Sequence, residues 1–121
     1  MFYLSLLGLI AADQLSKLLA GWWGRVVINR GGVWGIFPGE WWILIVGLIW
    51  ISLSWYFLKG KDRSFGMGLV LAGGFSNLLD RLVFGYVRDF IFYPGLGVYG
   101  NIADIILAFG VVWIFWQKMK A

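Results

Sequence analysis

Residues Trp41 to Leu58 run for 18 positions without a charged side chain, and aromatic residues stand at both ends. As a helix rising 1.5 Å per residue, the run is about 27 Å long, close to the thickness of a bilayer's hydrocarbon core. An apolar, uncharged run of this length reads as a transmembrane helix. The rest of the composition agrees: 61% of residues are apolar, only 13% are charged, and mean hydropathy is +0.83. A soluble domain keeps about a quarter of its residues charged. Nine Trp and ten Phe exclude a disordered chain, which has few aromatics and much charge. The chain reads as one small integral membrane domain over residues 1–121.

Three further spans are expected. Phe65 to Leu79 is glycine-rich and uncharged until Asp80, with Gly68, Ala72 and Ser76 forming a small-residue face that lets another helix approach closely. Asn101 to Gln117 holds one charge, Asp104, near its start. Phe2 to Ala20 is apolar but contains Asp13 and Lys17. A cleaved signal peptide competes for that last segment. It lacks a basic leading region, and its charges fall where an apolar stretch should be finishing, so a retained span is the better reading.

Lys59, Lys61 and Arg63 between the second and third spans, with Lys118 and Lys120 at the end, put both termini on the cytoplasmic side by the positive-inside rule. The +4 net charge forms no basic stripe, so nucleic acid is not an expected partner. Loops 21–40 and 80–100 then face outward. In the first, residues 25–30 are β-prone, Gly31-Gly32 can turn, and residues 33–37 can return, which predicts a small sheet at headgroup depth. The second is too broken to span and reads as an interfacial loop or short helix. The expected fold class is an all-α membrane protein of four transmembrane helices with a small outer-face β-hairpin or sheet cradle.

This topology gathers four of the five aspartates, Asp13, Asp80, Asp89 and Asp104, near the outer interface. Ionisable groups are costly in membrane segments and persist mainly where they pair or do chemistry. The chain has no Cys, His or Thr. That excludes disulfides, thiolate zinc sites and Ser-His-Asp hydrolysis, and neither metal nor cofactor is expected. A Ser-Lys dyad, with Ser16 or Ser5 near Lys17, is the poorer route, because Ser16 directly precedes Lys17 and adjacent residues leave a helix in divergent directions. Two carboxylates are the better one. Held together, their pKa values are driven apart, which makes one an acid and the other a base that can activate water.

Five segments in order, Asp13-Gln14-Leu15-Ser16-Lys17, Asn29-Arg30-Gly31, Gly73 through Arg81, Tyr86-Val87-Arg88-Asp89-Phe90 and Asn101-Ile102-Ala103-Asp104, resemble the motifs of lipoprotein signal peptidase, also called signal peptidase II. The resemblance covers nearly the whole chain. It implies an aspartyl intramembrane protease that removes the signal peptide of a bacterial prolipoprotein just before the diacylglyceryl-modified cysteine, acting in the cytoplasmic (inner) membrane with its site toward the outer face. Prolipoprotein and membrane lipids would be its partners, and a monomer is expected. The family's catalytic pair falls on Asp89 and Asp104. Asn77, Arg81 and Asn101 match its polar supports, Asn29 an outer cradle residue, and Asp13 and Lys17 the first-span motif. The sequence departs at Ser76, where glycine is usual, at Gly100, where an aromatic is common, and at Ile105, where a hydroxyl residue is common.

Each residue also has a plainer role open to it. Asp13 and Lys17, four apart, can be a membrane-buried ion pair; Asp80 beside Arg81 can neutralise the end of the third span; Asn29 can fix a turn; Asp104 can cap a helix; Asp89, beside Arg88 in a loop, can be a solvated charge. The alternative functional class is a small proton- or ion-coupled transporter, which would need a carboxylate near the bilayer midplane.

Overall fold

The computed structural model describes residues 2–30, 39–60 and 64–120, with the side chains of Gly39 and Glu40 left aside. Four helices, α1 (Phe2–Trp22), α2 (Gly39–Leu58), α3 (Phe65–Phe84) and α4 (Ile102–Lys120), are each long and apolar enough to cross a membrane. Between them lie four three-residue strands: β1 (Val27–Asn29), β2 (Val87–Asp89), β3 (Ile91–Tyr93) and β4 (Val98–Gly100). The expected fold class is what is found.

Helix α3 is the centre of the bundle. Half of it is buried, whereas α1, α2 and α4 leave most of their large apolar side chains facing outward, as lipid-bathed helices do. Its position follows from its glycines. A Cβ at Gly66 would lie 2.8 Å from the Gly110 carbonyl oxygen, one at Gly110 would lie 2.6 Å from the Gly66 oxygen, and one at Gly73 would lie 2.6 Å from the Ala103 oxygen. Thus α3 and α4 meet backbone to backbone at both ends of their contact, the close approach that small residues allow between membrane helices. The Gly68/Ala72/Ser76 face turns instead to α1: Gly68 meets Phe2, and Ser76 meets Asp13 and Gln14. Helix α2 is joined to α3 where the Trp50 indole donates to the Leu71 carbonyl at 2.8 Å and tilts against Phe75.

The ends of α3 explain its length. Ser64 caps the start, accepting from the Met67 N–H at 3.1 Å, and Gly85 closes the end in the left-handed conformation (φ 82°) with its N–H on the Arg81 carbonyl. The helix therefore runs five residues past the expected Leu79, carrying Asp80 and Arg81 inside it.

Strand β1 pairs antiparallel with β2, Val27 opposite Asp89 and Asn29 opposite Val87. The returning strand expected at 33–37 lies outside the described residues, and the partner found for β1 is 60 residues further along the chain. Beyond β2, β3 and β4 form a hairpin, with Ile91 opposite Gly100 and Tyr93 opposite Val98. The interfacial segment is thus a loop of short strands, with no helix. In β2 successive side chains point to opposite faces, so alternate residues turn inward. Val87 and Asp89 point in and are buried, and Arg88 between them is half-buried.

Candidate active site

Asp89 ends β2 and Asp104 sits in the first turn of α4, and one residue holds both. The Asn101 side-chain amide donates to Asp89 Oδ1 at 2.9 Å. Its backbone N–H donates to Asp104 Oδ2 at 3.0 Å, while its side-chain oxygen accepts the Asp104 N–H at 3.0 Å. This last exchange is a capping box, each residue satisfying a backbone donor of the other at a helix start. Asp104 therefore helps to cap the helix by accepting the N–H of the capping residue Asn101, as the plainer expectation had it. Its other oxygen, Oδ1, accepts from the Asn77 amide at 2.9 Å, which turns the carboxylate to a fixed angle. Asn101 is fully buried and Asp89 nearly so.

Burial pushes the Asp89 carboxyl up to about 7, and the negative charge of Asp104 adds to that. Hydrogen bonds from the Asn29 and Asn101 side chains, and the Lys17 charge, pull the other way. Asn29 reaches Asp89 because the β1–β2 register puts both on one face of the ribbon. Near neutral pH the site therefore keeps a proton on a carboxyl that would ordinarily have lost it.

A second layer of charge lies behind these residues. Lys17 is completely buried, with its ammonium 2.6 Å from Asp13 and 3.3 Å from Asp80, and it donates to Asn77 Oδ1 at 3.1 Å. Asn77 thus passes its orientation from Lys17 on one side to Asp104 on the other. Asp13 also accepts the Ala103 N–H, at 2.8 Å, and the Ser76 hydroxyl, at 2.6 Å. The Asp13–Lys17 pair is therefore an ion pair of the bundle that ties α1 to α3 and to the first turn of α4.

Asp80 makes its ion pairs with Lys17 and Arg88, and acts on Arg81 only through its charge. Its carboxylate takes three hydrogen bonds from Arg88, from the backbone N–H at 3.0 Å and the guanidinium at 3.2 and 2.9 Å, and a fourth from Gln14 at 3.0 Å. The Arg88 guanidinium also donates to Gln14 Oε1 at 2.6 Å. Arg88 is therefore bolted to α3 and α1, one residue before Asp89. Arg81 is left to line the cavity in front of the carboxylates. Sequence reasoning passed over Gln14, Ser76 and Arg88 as site residues. The signal available was that Gln14 and Arg88 lie inside the quoted motifs, and that Ser76 breaks one.

That cavity has a volume of about 680 Å³. Asn29, Asn77, Arg81, Asp89 and Asp104 form its polar end. From there it follows α4 past Ala108 to Val112, with Trp42 and Val46 of α2 opposite. Eight helical residues separate Asp104 from Val112, so the apolar part reaches about 12 Å along the span. Ile105 lies in this wall, and Asn29, Asn77, Arg81, Asn101, Asp89 and Asp104 all fall at the cavity or on its carboxylates, whereas Asp13 and Lys17 stand behind it.

Comparison with known proteins agrees in sequence and in shape. Residues 5–120 match the family model described as signal peptidase (SPase) II. The lipoprotein signal peptidase of Halothermothrix orenii is 32% identical over 99% of this chain and 98% of its own length, and that of Dehalococcoides mccartyi is 34% identical over 93% and 85%. The one from Clostridium novyi is 36% identical, but the match spans 69% of this chain and 64% of that protein. A solved bacterial membrane enzyme, determined by the in meso method at 2.3 Å, superposes with a TM-score of 0.82 at 27% identity, covering 98% of this chain and 87% of that one. This multi-pass membrane protein belongs to the signal peptidase II family, the lipoprotein signal peptidases.

Proposed function

We propose that the chain is an aspartic endopeptidase in which Asp89 and Asp104 act together on the scissile bond of a prolipoprotein, before its diacylglyceryl-modified cysteine. Prolipoprotein signal-peptide cleavage rests on family membership; the aspartic type rests on the shared Asn101, which brackets the buried Asp89 and the half-buried Asp104 carboxylates at the polar end of an apolar cavity. With one proton between them, the ionised carboxylate takes a proton from water as the water oxygen attacks the scissile carbonyl carbon. The neutral carboxyl gives its proton to the carbonyl oxygen. The tetrahedral diol then collapses, the C–N bond breaks, and the leaving nitrogen takes up a proton.

The cavity suits such a substrate. Its apolar arm can take acyl chain or signal-peptide side chains from the lipid phase, and its polar end holds the peptide bond at the interface. The charge pattern of the loops supports a cytoplasmic-membrane protein with both termini inside and the strands outside. Both candidate carboxylates come from one chain, which suits a monomer. An ion-coupled transporter would hold its carboxylate near mid-span, whereas here Asp104 lies in the first turn of α4 and Asp89 in β2, outside the helices.

The deciding experiment is cleavage of a diacylglyceryl-modified prolipoprotein in detergent or lipid by wild type, Asp89→Asn and Asp104→Asn. The expected outcome is cleavage before the lipidated cysteine by wild type and loss of about 10²–10⁴-fold in each variant, the range of a general acid or base, with unchanged thermal unfolding. Full activity in either variant would remove that residue from the pair.

A further inference from the structure

Tyr93 closes β3 and faces Val98 across the hairpin, but its ring fills a different place. A Cβ on Gly100 would overlap that ring, so the ring stands in the slot the glycine leaves beside Asn101. From there the hydroxyl donates to the Asn101 carbonyl at 3.3 Å, a long bond to the residue that holds both carboxylates. The same side chain lines the cavity between Asp89, Asp104 and the hairpin. Burial, with the charges of Asp104 and Asp89, pushes the phenol up to about 12, so it stays a neutral donor and never adds a third anion beside the pair.

We propose that Tyr93 is a specificity-determining and positioning residue: seated on Gly100, its ring is the wall against which the substrate residue on the signal-peptide side of the scissile bond must fit. The inference rests on the peptidase reading above. The ring carries the effect, and the hydroxyl adds to it by steadying Asn101.

Two prolipoproteins that differ only in that residue, glycine or leucine, test it with wild type, Tyr93→Phe, Tyr93→Leu, Tyr93→Ala and Gly100→Ala. Tyr93→Phe should lower kcat by about threefold on both substrates with KM unchanged, the size of one modest hydrogen bond. Tyr93→Ala should shift kcat/KM toward the leucine substrate by about tenfold or more relative to wild type, the range a change of a few carbons in a pocket commands. Tyr93→Leu should fall between, and it carries the test if the alanine variant fails to fold. Gly100→Ala drives the ring into the cavity and should raise KM for both substrates, most for leucine. A preference for leucine over glycine that is the same in wild type and in Tyr93→Ala or Tyr93→Leu would overturn the inference, since a merely structural residue lowers both alike. Wild type that cleaves neither substrate would overturn the peptidase reading and this inference with it; cleaving wild type with unaltered variants overturns the inference alone.

Discussion

Asp13 accepts the backbone N–H of Ala103, ninety residues away, at 2.8 Å. A carboxylate of the first helix thereby caps the helix that carries Asp104, and Lys17 neutralises that carboxylate from one turn on. The two residues that the sequence motif left between structure and substrate are structural in their contacts, yet they fix where Asp104 stands.

Asp13→Ala should therefore cost stability before it costs chemistry. It leaves the Lys17 ammonium buried with Asp80 alone at 3.3 Å and frees the Ala103 N–H. Removing one partner of a buried ion pair costs on the order of 3–5 kcal/mol. Denaturant unfolding in detergent should show a loss of this order, and an unchanged midpoint would refute the assignment.

The Asp89 carboxyl, held up at about 7, gives a pH dependence with a definite sign. Between its ordinary 3.8 and about 7 the unfolded chain binds fewer protons at this residue than the folded one, so its contribution to stability declines as pH rises through that window. Cleavage should fall above about pH 7, as the pair loses its shared proton. In Asp104→Asn the Asp89 value, followed by carboxyl NMR, should drop below 7 but stay above 3.8, because burial is the larger cause. A value unmoved by that substitution would separate the two residues.

Arg88 is an anchor for Asp89 in this geometry. Arg88→Gln removes the guanidinium bonds to Asp80 and Gln14 while the backbone bond from residue 88 remains. The expected result is a fall in kcat of about tenfold with KM little changed, since misplacing a reacting group by a fraction of an ångström is enough for such a loss. A larger effect on KM than on kcat would instead make Arg88 a substrate contact.

Glycine substitutions divide by position. Gly73→Ala puts a methyl against the Ala103 carbonyl and Leu107, and overpacking of this kind costs about 1–3 kcal/mol. It should also lower cleavage, since it pushes on the turn bearing Asp104. Gly47→Ala, where a methyl would meet no other atom within 4 Å, should leave both unfolding and cleavage as in wild type.

No metal is expected in the reaction, because the chain has neither His nor Cys. Activity retained after exhaustive dialysis against EDTA is the predicted outcome, and restoration by a specific cation would contradict it.

Much of this was legible in the sequence. One uncharged stretch of bilayer length and three apolar stretches with few charges located the helices, and the order of the motifs gathered Asn29, Asn77, Asp89, Asn101 and Asp104 at one end. Three facts were not. The pairing of β1 with β2 depends on tertiary contact, since Gly31-Gly32 offered a local turn and nothing nearby in the chain announces residue 87 as a partner. The partner of Asp80 was hidden for the opposite reason. Arg81 is adjacent, but neighbours on a helix diverge, whereas Arg88, beyond the Gly85 turn, doubles back over the same face. Tyr93 is a third case: a missing side chain at residue 100 is filled from across a hairpin, which no spacing rule reveals.

The glycine contacts between α3 and α4 also decide which side of the cavity can adapt. Where Gly66 meets Gly110 and Gly73 meets Ala103, the closest contacts are to main-chain oxygens, which no change of rotamer can move. Across the cavity the wall is Trp42 and Val46, side chains of a helix with an otherwise outward-facing surface. The molecule is built like a vice whose α3–α4 jaw is fixed in position by its backbone seam, so guests of different bulk are accommodated by the side chains that face the cavity, among them Trp42, Val46 and Tyr93.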